Sequence, residues 1–122
     1  MQLYSIATYI YMHSAPDLSG LPPQEQRLRR REWNREPIKD LFPRVPSAAL
    51  ECILDLCIDK GAVYNLSEAK RWNSRRFTAI VVAYVRHNYS DYDRLLREGV
   101  ERFEARKQAS KQMWKTLRDW CP

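Results

Sequence analysis

From Phe77 to Val85 the chain reads FTAIVVAYV, nine residues without a charge, bounded by Arg76 and Arg86. A helix with this run is apolar on nearly every side and must be covered from several directions. The abundance of Ile and Val also fits a buried strand. However, the flanks SEAKRWNSRR and RHNY carry the segment beyond ordinary strand length, so the pattern predicts a helix over about Glu68–Asn88. A chain of 122 residues wrapped around one such helix is a single domain.

The remaining elements are helical by the same reasoning. Pro22 and Pro23 introduce a charged helix over Gln24–Glu36, which Pro37 should end. Only Leu28 and Trp33 are apolar in it, so its stability must come from docking Trp33 or from a ligand. After Phe42-Pro43 and Val45-Pro46, Leu50, Ile53, Leu54, Cys57 and Ile58 recur on one face of a helix over Ser47–Lys60. Asp55 and Asp59 lie off that face, and Gly61 is its stop signal. Residues 62–67 form a connection. Ser90, with Asp93 three residues on, should cap a short helix carrying Tyr92, Leu95 and Leu96, which Gly99 ends. The last helix, about Val100–Trp120, carries the stripe Val100, Phe103, Met113, Leu117 and Trp120, with Lys107, Lys111 and Lys115 forming a basic row on another side. The expected fold is all-α: a bundle of four to five helices over 24–122, after a leader and loop at 1–23. The leader's apolar part, 1–12, reads equally as strand, helix or tail.

Chemistry is limited by what is scarce. Cys52, Cys57 and Cys121 are an odd number with no paired spacing, and read as buried, reduced thiols of an intracellular protein, nuclear or cytoplasmic. Two histidines, His13 and His87, without a C-x-x-C pair do not make a standard structural zinc site. The isolated glycines Gly20, Gly61 and Gly99 form no phosphate-binding loop. No catalytic residue, metal or cofactor is expected, and no apolar run is long enough to span a membrane. The polar stretch Arg86, His87, Tyr89, Asp91, Tyr92 and Asp93 reads as the turn between two helices. Trp114 and Trp120 read as core or interface residues.

Charge points to partners. The net charge is +6, unevenly spread: 21–46 carry +3, 47–66 carry −2 and 67–97 carry +4. One cluster holds Arg27, Arg29, Arg30, Arg31 and Arg35 beside Trp33; a second holds Lys70, Arg71, Arg75 and Arg76 around Trp72. Arginine beside an aromatic ring holds phosphates and stacks on bases, so both clusters are candidate nucleic-acid contacts, DNA or RNA. An acidic protein surface is the other partner such cations fit, and a solvated face paired with Glu25, Glu32 and Glu36 is the plain alternative.

The segments LFPRVPSAALECIL, AYVRHNYSDYDRLL, REGVERFEARKQ and the closing LRDW resemble a fungal family of uncharacterised proteins, domain of unknown function 2293. The features that match are Phe42, Pro43 and Pro46, the helix stop at Gly61, Arg86 and His87, then Ser90, Tyr92, Asp93, Leu95 and Leu96, and finally Gly99 leading into Glu104, Ala105 and Arg106. Two departures stand out: GAVYNLSEAKRWNSRR replaces a glycine-rich basic connection, and a short aromatic leader replaces longer upstream sequence. The resemblance implies a fold and a fungal origin, and no activity. Phe42-Pro43 and Leu95-Leu96 are also similar to the apolar patch of ubiquitin-binding CUE domains, which implies a ubiquitin-like partner as the alternative.

Overall fold

The computed structural model describes residues 18–122. The 1–17 part of the leader lies outside the described residues. The helices are α1 (Pro23–Trp33), α2 (Arg35–Leu41), α3 (Ser47–Asp59), α4 (Lys70–Asn88), α5 (Tyr92–Arg97) and α6 (Arg102–Trp120), with no strand among the described residues. The all-α expectation therefore holds, with α1 and α2 forming one rod broken only at Asn34.

Pro37 does not end the first helix. It sits in the first turn of α2, where an N–H has no intrahelical partner to lose. Its ring is incompatible with a helical carbonyl four residues earlier, at Trp33, so the rod breaks there. The break is useful. It turns the buried Asn34 toward the loop after α3, where its Nδ2 donates to Ala62 O (2.9 Å) and its Oδ1 accepts from Tyr64 N (2.8 Å). Trp33 Nε1 donates to Tyr64 O at 3.0 Å. Asn73, also buried, grips the same loop one step on, donating to Asn65 O (2.8 Å) and accepting from Asn65 N (3.0 Å). Two buried amides thus satisfy backbone groups that would otherwise be left unpaired.

The central helix is where the uncharged run placed it. α4 packs against α2, α3, α5 and α6. Phe77, Ile80, Val81 and Val85 share one core with Ile38, Phe42, Leu50, Ile53, Leu54, Met113, Leu117 and Trp120. α4 starts at Lys70, two residues later than Glu68, because the backbone is still extended at Ala69 (φ −59°, ψ 145°). A second, smaller core joins α5 to α6 through Tyr92, Leu95, Ala105 and Ala109. The α6 stripe therefore runs through two alanines rather than through Phe103, which is exposed. A small residue lets a short helix approach closely where a phenyl ring would hold it off.

Both glycine stops are confirmed. Gly61 (φ 71°) and Gly99 (φ 88°) take left-handed backbone that suits glycine. Each closes its helix with the paired bonds of a Schellman turn: Ala62 N to Cys57 O with Gly61 N to Ile58 O, and Val100 N to Leu95 O with Gly99 N to Leu96 O. The expected Ser90–Asp93 capping box is not formed. Ser90 Oγ accepts from Tyr92 N at 3.3 Å, but Asp93 pairs instead with His87 Nδ1 at 2.6 Å across the turn. The last helix has a cap that the pattern did not reveal: Glu101 accepts from the N–H groups of Phe103 and Glu104. Among the cysteines, all unpaired, only Cys57 is buried, and burial pushes its thiol up to about 11; Cys52 is exposed.

Candidate nucleic-acid interface

The two arginine clusters part ways in the structure. Arg27, Arg31 and Arg35 stand four residues apart, and so do Glu51, Asp55 and Asp59 on α3. The two rows run antiparallel. Arg27 pairs with Asp59, Arg31 with Asp55 (2.7 Å) and Glu51 (3.2 Å), and Arg35 with Glu51 (2.7 Å). Glu32 sits between the last two arginines, 2.7 Å from each. Spacing of four places Arg27 and Arg31 on one face of α1 and the three carboxylates on one face of α3; Arg35, the first residue of α2, continues the row because Asn34 keeps right-handed helical angles (φ −82°, ψ −14°). The result is a ladder of charge-assisted hydrogen bonds.

The protonation states agree with this. The Glu51 carboxyl is held down to about 2, chiefly by the hydrogen bond from Arg35, with partial burial opposing and Arg31 adding. Glu32 is lowered, first by Arg35. Burial alone would lower Arg31, but its bonds to Asp55 and Glu51 outweigh it and raise the group; Arg35 is raised by Glu32 and Glu51. Arg31 is also only 15% exposed. These guanidiniums are committed to holding α1 and the start of α2 on α3. Trp33 is committed too, being 6% exposed with its N–H bonded to the loop, so it offers no ring for stacking. Arg76 is likewise structural: besides Glu68 it donates to Asn73 Oδ1 and Val63 O.

Of the first cluster, Arg29 and Arg30 remain outward, with only Glu25 at 3.5 Å and Gln26 Oε1 at 3.2 Å as partners. Arg30 and Trp33 line a cleft of about 560 Å³ with Gln26, Val63, Tyr64 and Asn65.

The second cluster keeps a different arrangement. Trp72 is 50% exposed, and the guanidiniums of Arg71 and Arg75 each lie 5.2 Å from its ring centre. Neither arginine, nor Lys70, is ion-paired among the described residues. Cation–π attraction orients both side chains without neutralising them. They stand at the start of α4, whose N-cap, Ala69, provides no side-chain acceptor and whose first turn holds no acidic residue. The positive end of a 19-residue helix therefore adds to the local field.

The four residues of the ubiquitin alternative do not form one exposed patch. Phe42 is buried in the main core and Leu95 in the second, leaving Pro43 and Leu96 outward. The polar turn is internally satisfied: Asp91 bonds Gln112 and Arg94, and His87 bonds Asp93. Among the described residues no cluster of three His, Cys, Asp or Glu side chains could hold a metal, and no helix is long and apolar enough to cross a membrane.

The pattern missed which arginines were already paired. The signal was present in the matched four-residue spacing of Arg27, Arg31, Arg35 and Glu51, Asp55, Asp59.

The family model of uncharacterised conserved proteins, DUF2293, matches residues 37–121. The chain belongs to that family. The DUF2293 match runs from inside α2 to the end of α6, so it takes in the acidic side of the ladder and the Arg71–Trp72–Arg75 group, while α1 precedes it. No curated protein and no solved structure was found to match the chain.

Proposed function

We propose that the protein is a non-catalytic module that contacts nucleic acid through the start of α4, with Arg71, Trp72 and Arg75 as the central group and Lys70 beside them. The observation that carries this reading is a half-exposed indole flanked by two unpaired guanidiniums at 5.2 Å. A guanidinium fork suits phosphate oxygens, and an open indole suits an unstacked base. The pairing of charge with a stacking surface favours single-stranded segments, because every base has a π-face whatever its sequence. Arg29 and Arg30, on α1, are free to add phosphate contacts but supply no ring.

The test is fluorescence anisotropy with labelled single-stranded and duplex oligonucleotides. Trp72→Ala should weaken single-strand binding by about 1–3 kcal/mol and leave the weaker duplex binding nearly unchanged. Absence of any binding by the unmodified protein at low salt would refute the proposal.

A further inference from the structure

Among the described residues, the outward side of α6 leaves two large aromatic rings exposed. Its inward side buries Ala105, Ala109, Met113, Leu117 and Trp120. On the other side Phe103 is 74% exposed and Trp114 is 55% exposed. Trp114 is thus not a core residue. The two rings are eleven residues apart in sequence, about three turns or 16 Å along the helix, and point the same way. Lys107, Lys111, Lys115 and Arg118 lie between and beside them. None of these cations is ion-paired among the described residues. Glu104, the carboxylate on that side, accepts from Gln108 Nε2 at 3.2 Å.

We propose that this face of α6 docks an acidic amphipathic helix of a protein partner. The inference is independent of the nucleic-acid reading, which concerns α4. Exposed aromatic anchors rimmed by charge are the composition of a protein-interaction surface. Trp is prominent among residues that dominate binding energy, and a fixed helix presents it with little ordering cost. Charge fixes the partner's sign: four unpaired cations around two rings complement a row of carboxylates.

The spacing fixes the partner's form. Stacking on successive bases needs neighbouring rings, whereas these are about 16 Å apart. Contact with phosphates alone would use the lysines and leave both rings in water. A helix laid along α6 meets both requirements. Two apolar side chains about three turns apart would cover Phe103 and Trp114, and Glu or Asp residues one turn apart would face Lys107, Lys111 and Lys115.

The test is a display library of helical 19-residue peptides selected against the full chain. Selection should enrich Glu-rich sequences with two apolar residues eleven apart. An enriched peptide should lose about tenfold or more in affinity with Trp114→Ala or Phe103→Ala. It should lose severalfold with Lys107→Gln/Lys111→Gln, and nothing with Arg71→Gln/Arg75→Gln. Both ring positions are exposed, so the variants should keep the unmodified melting curve, which circular dichroism checks. No enrichment, or enriched peptides that bind the Trp114→Ala variant equally well, would overturn the proposal. So would a loss of oligonucleotide binding or of phosphatidylserine-vesicle binding in these α6 variants without any peptide binding, since either assigns the face to another class of partner.

Discussion

Replacing Arg31 with Gln removes the middle rung of the ladder between α1 and α3. The guanidinium donates to Asp55 at 2.7 Å, Glu32 at 2.7 Å and both Glu51 Oε1 and the Glu51 carbonyl at 3.2 Å. Hydrogen bonds to charged groups contribute about 1.5–3 kcal/mol, and isolated surface pairs about 0–1 kcal/mol. The arginine itself is mostly covered, but its carboxylate partners are 40–63% exposed and will rehydrate when it leaves. The cost should therefore stay below the 3–5 kcal/mol of a fully buried pair, at about 2 kcal/mol, with the remaining carboxylates repelling one another. For a domain of this size that lowers Tm by about 8 °C. Urea unfolding followed by circular dichroism measures it. Arg29→Gln is the control: that side chain is 58% exposed with one contact at 3.5 Å, and its removal should cost less than about 0.5 kcal/mol. Equal effects for the two substitutions would refute the assignment of Arg31 to the fold.

The ladder also predicts acid sensitivity. Glu51 titrates at about 2 when folded and near its ordinary value when unfolded, so its stabilisation is present above about pH 4.5 and is lost as pH falls toward 2. Because the carboxylate is about half exposed, solvent screening reduces this to about 1 kcal/mol, and the loss should be smaller in Arg35→Gln. Asn34→Ala leaves the Ala62 carbonyl and the Tyr64 N–H without their partner, and should cost about 2–3 kcal/mol by denaturant titration. Ile80→Asp places an unpaired charge in the core against α3 and α6, a cost of several kcal/mol that matches the whole stability of a small domain; its circular dichroism spectrum should show an unfolded chain at 25 °C.

The fold was legible because its main signals are local. An uncharged run of nine residues identified the central helix, one apolar stripe identified α3, and Gly61 and Gly99 marked two helix ends by their backbone freedom. What was not legible depends on pairing at a distance. Pro37 reads as a terminator in one dimension, yet a helix can restart around it when Asn34 has a loop to grip. Phe103 has the spacing of a core residue, but on α6 the short α5 packs against Ala105 and Ala109 instead. The basic cluster of α1 looks like a binding surface until α3 supplies carboxylates at the same interval of four. Trp33 illustrates the same point: within four positions of Arg29, Arg30, Arg31 and Arg35 in sequence, it faces the loop after α3 in space. The charge balance did indicate which segments would meet, since 47–66, net −2, is the stretch that the net-positive α1 packs against.

The central claim is that the ladder arginines hold the fold while Arg71 and Arg75 are free to hold phosphates. The salt dependence of oligonucleotide affinity tests it most directly, because each neutralised phosphate contributes about 0.7 to the log–log slope for a single strand and about 0.9 for a duplex. Arg71→Gln/Arg75→Gln should reduce the single-strand slope by about 1.4 while leaving Tm nearly unchanged. Arg27→Gln/Arg35→Gln should lower Tm and, measured below it, leave the slope as it was. The reverse outcome, a slope reduced by the ladder substitutions and indifferent to Arg71 and Arg75, would contradict the account.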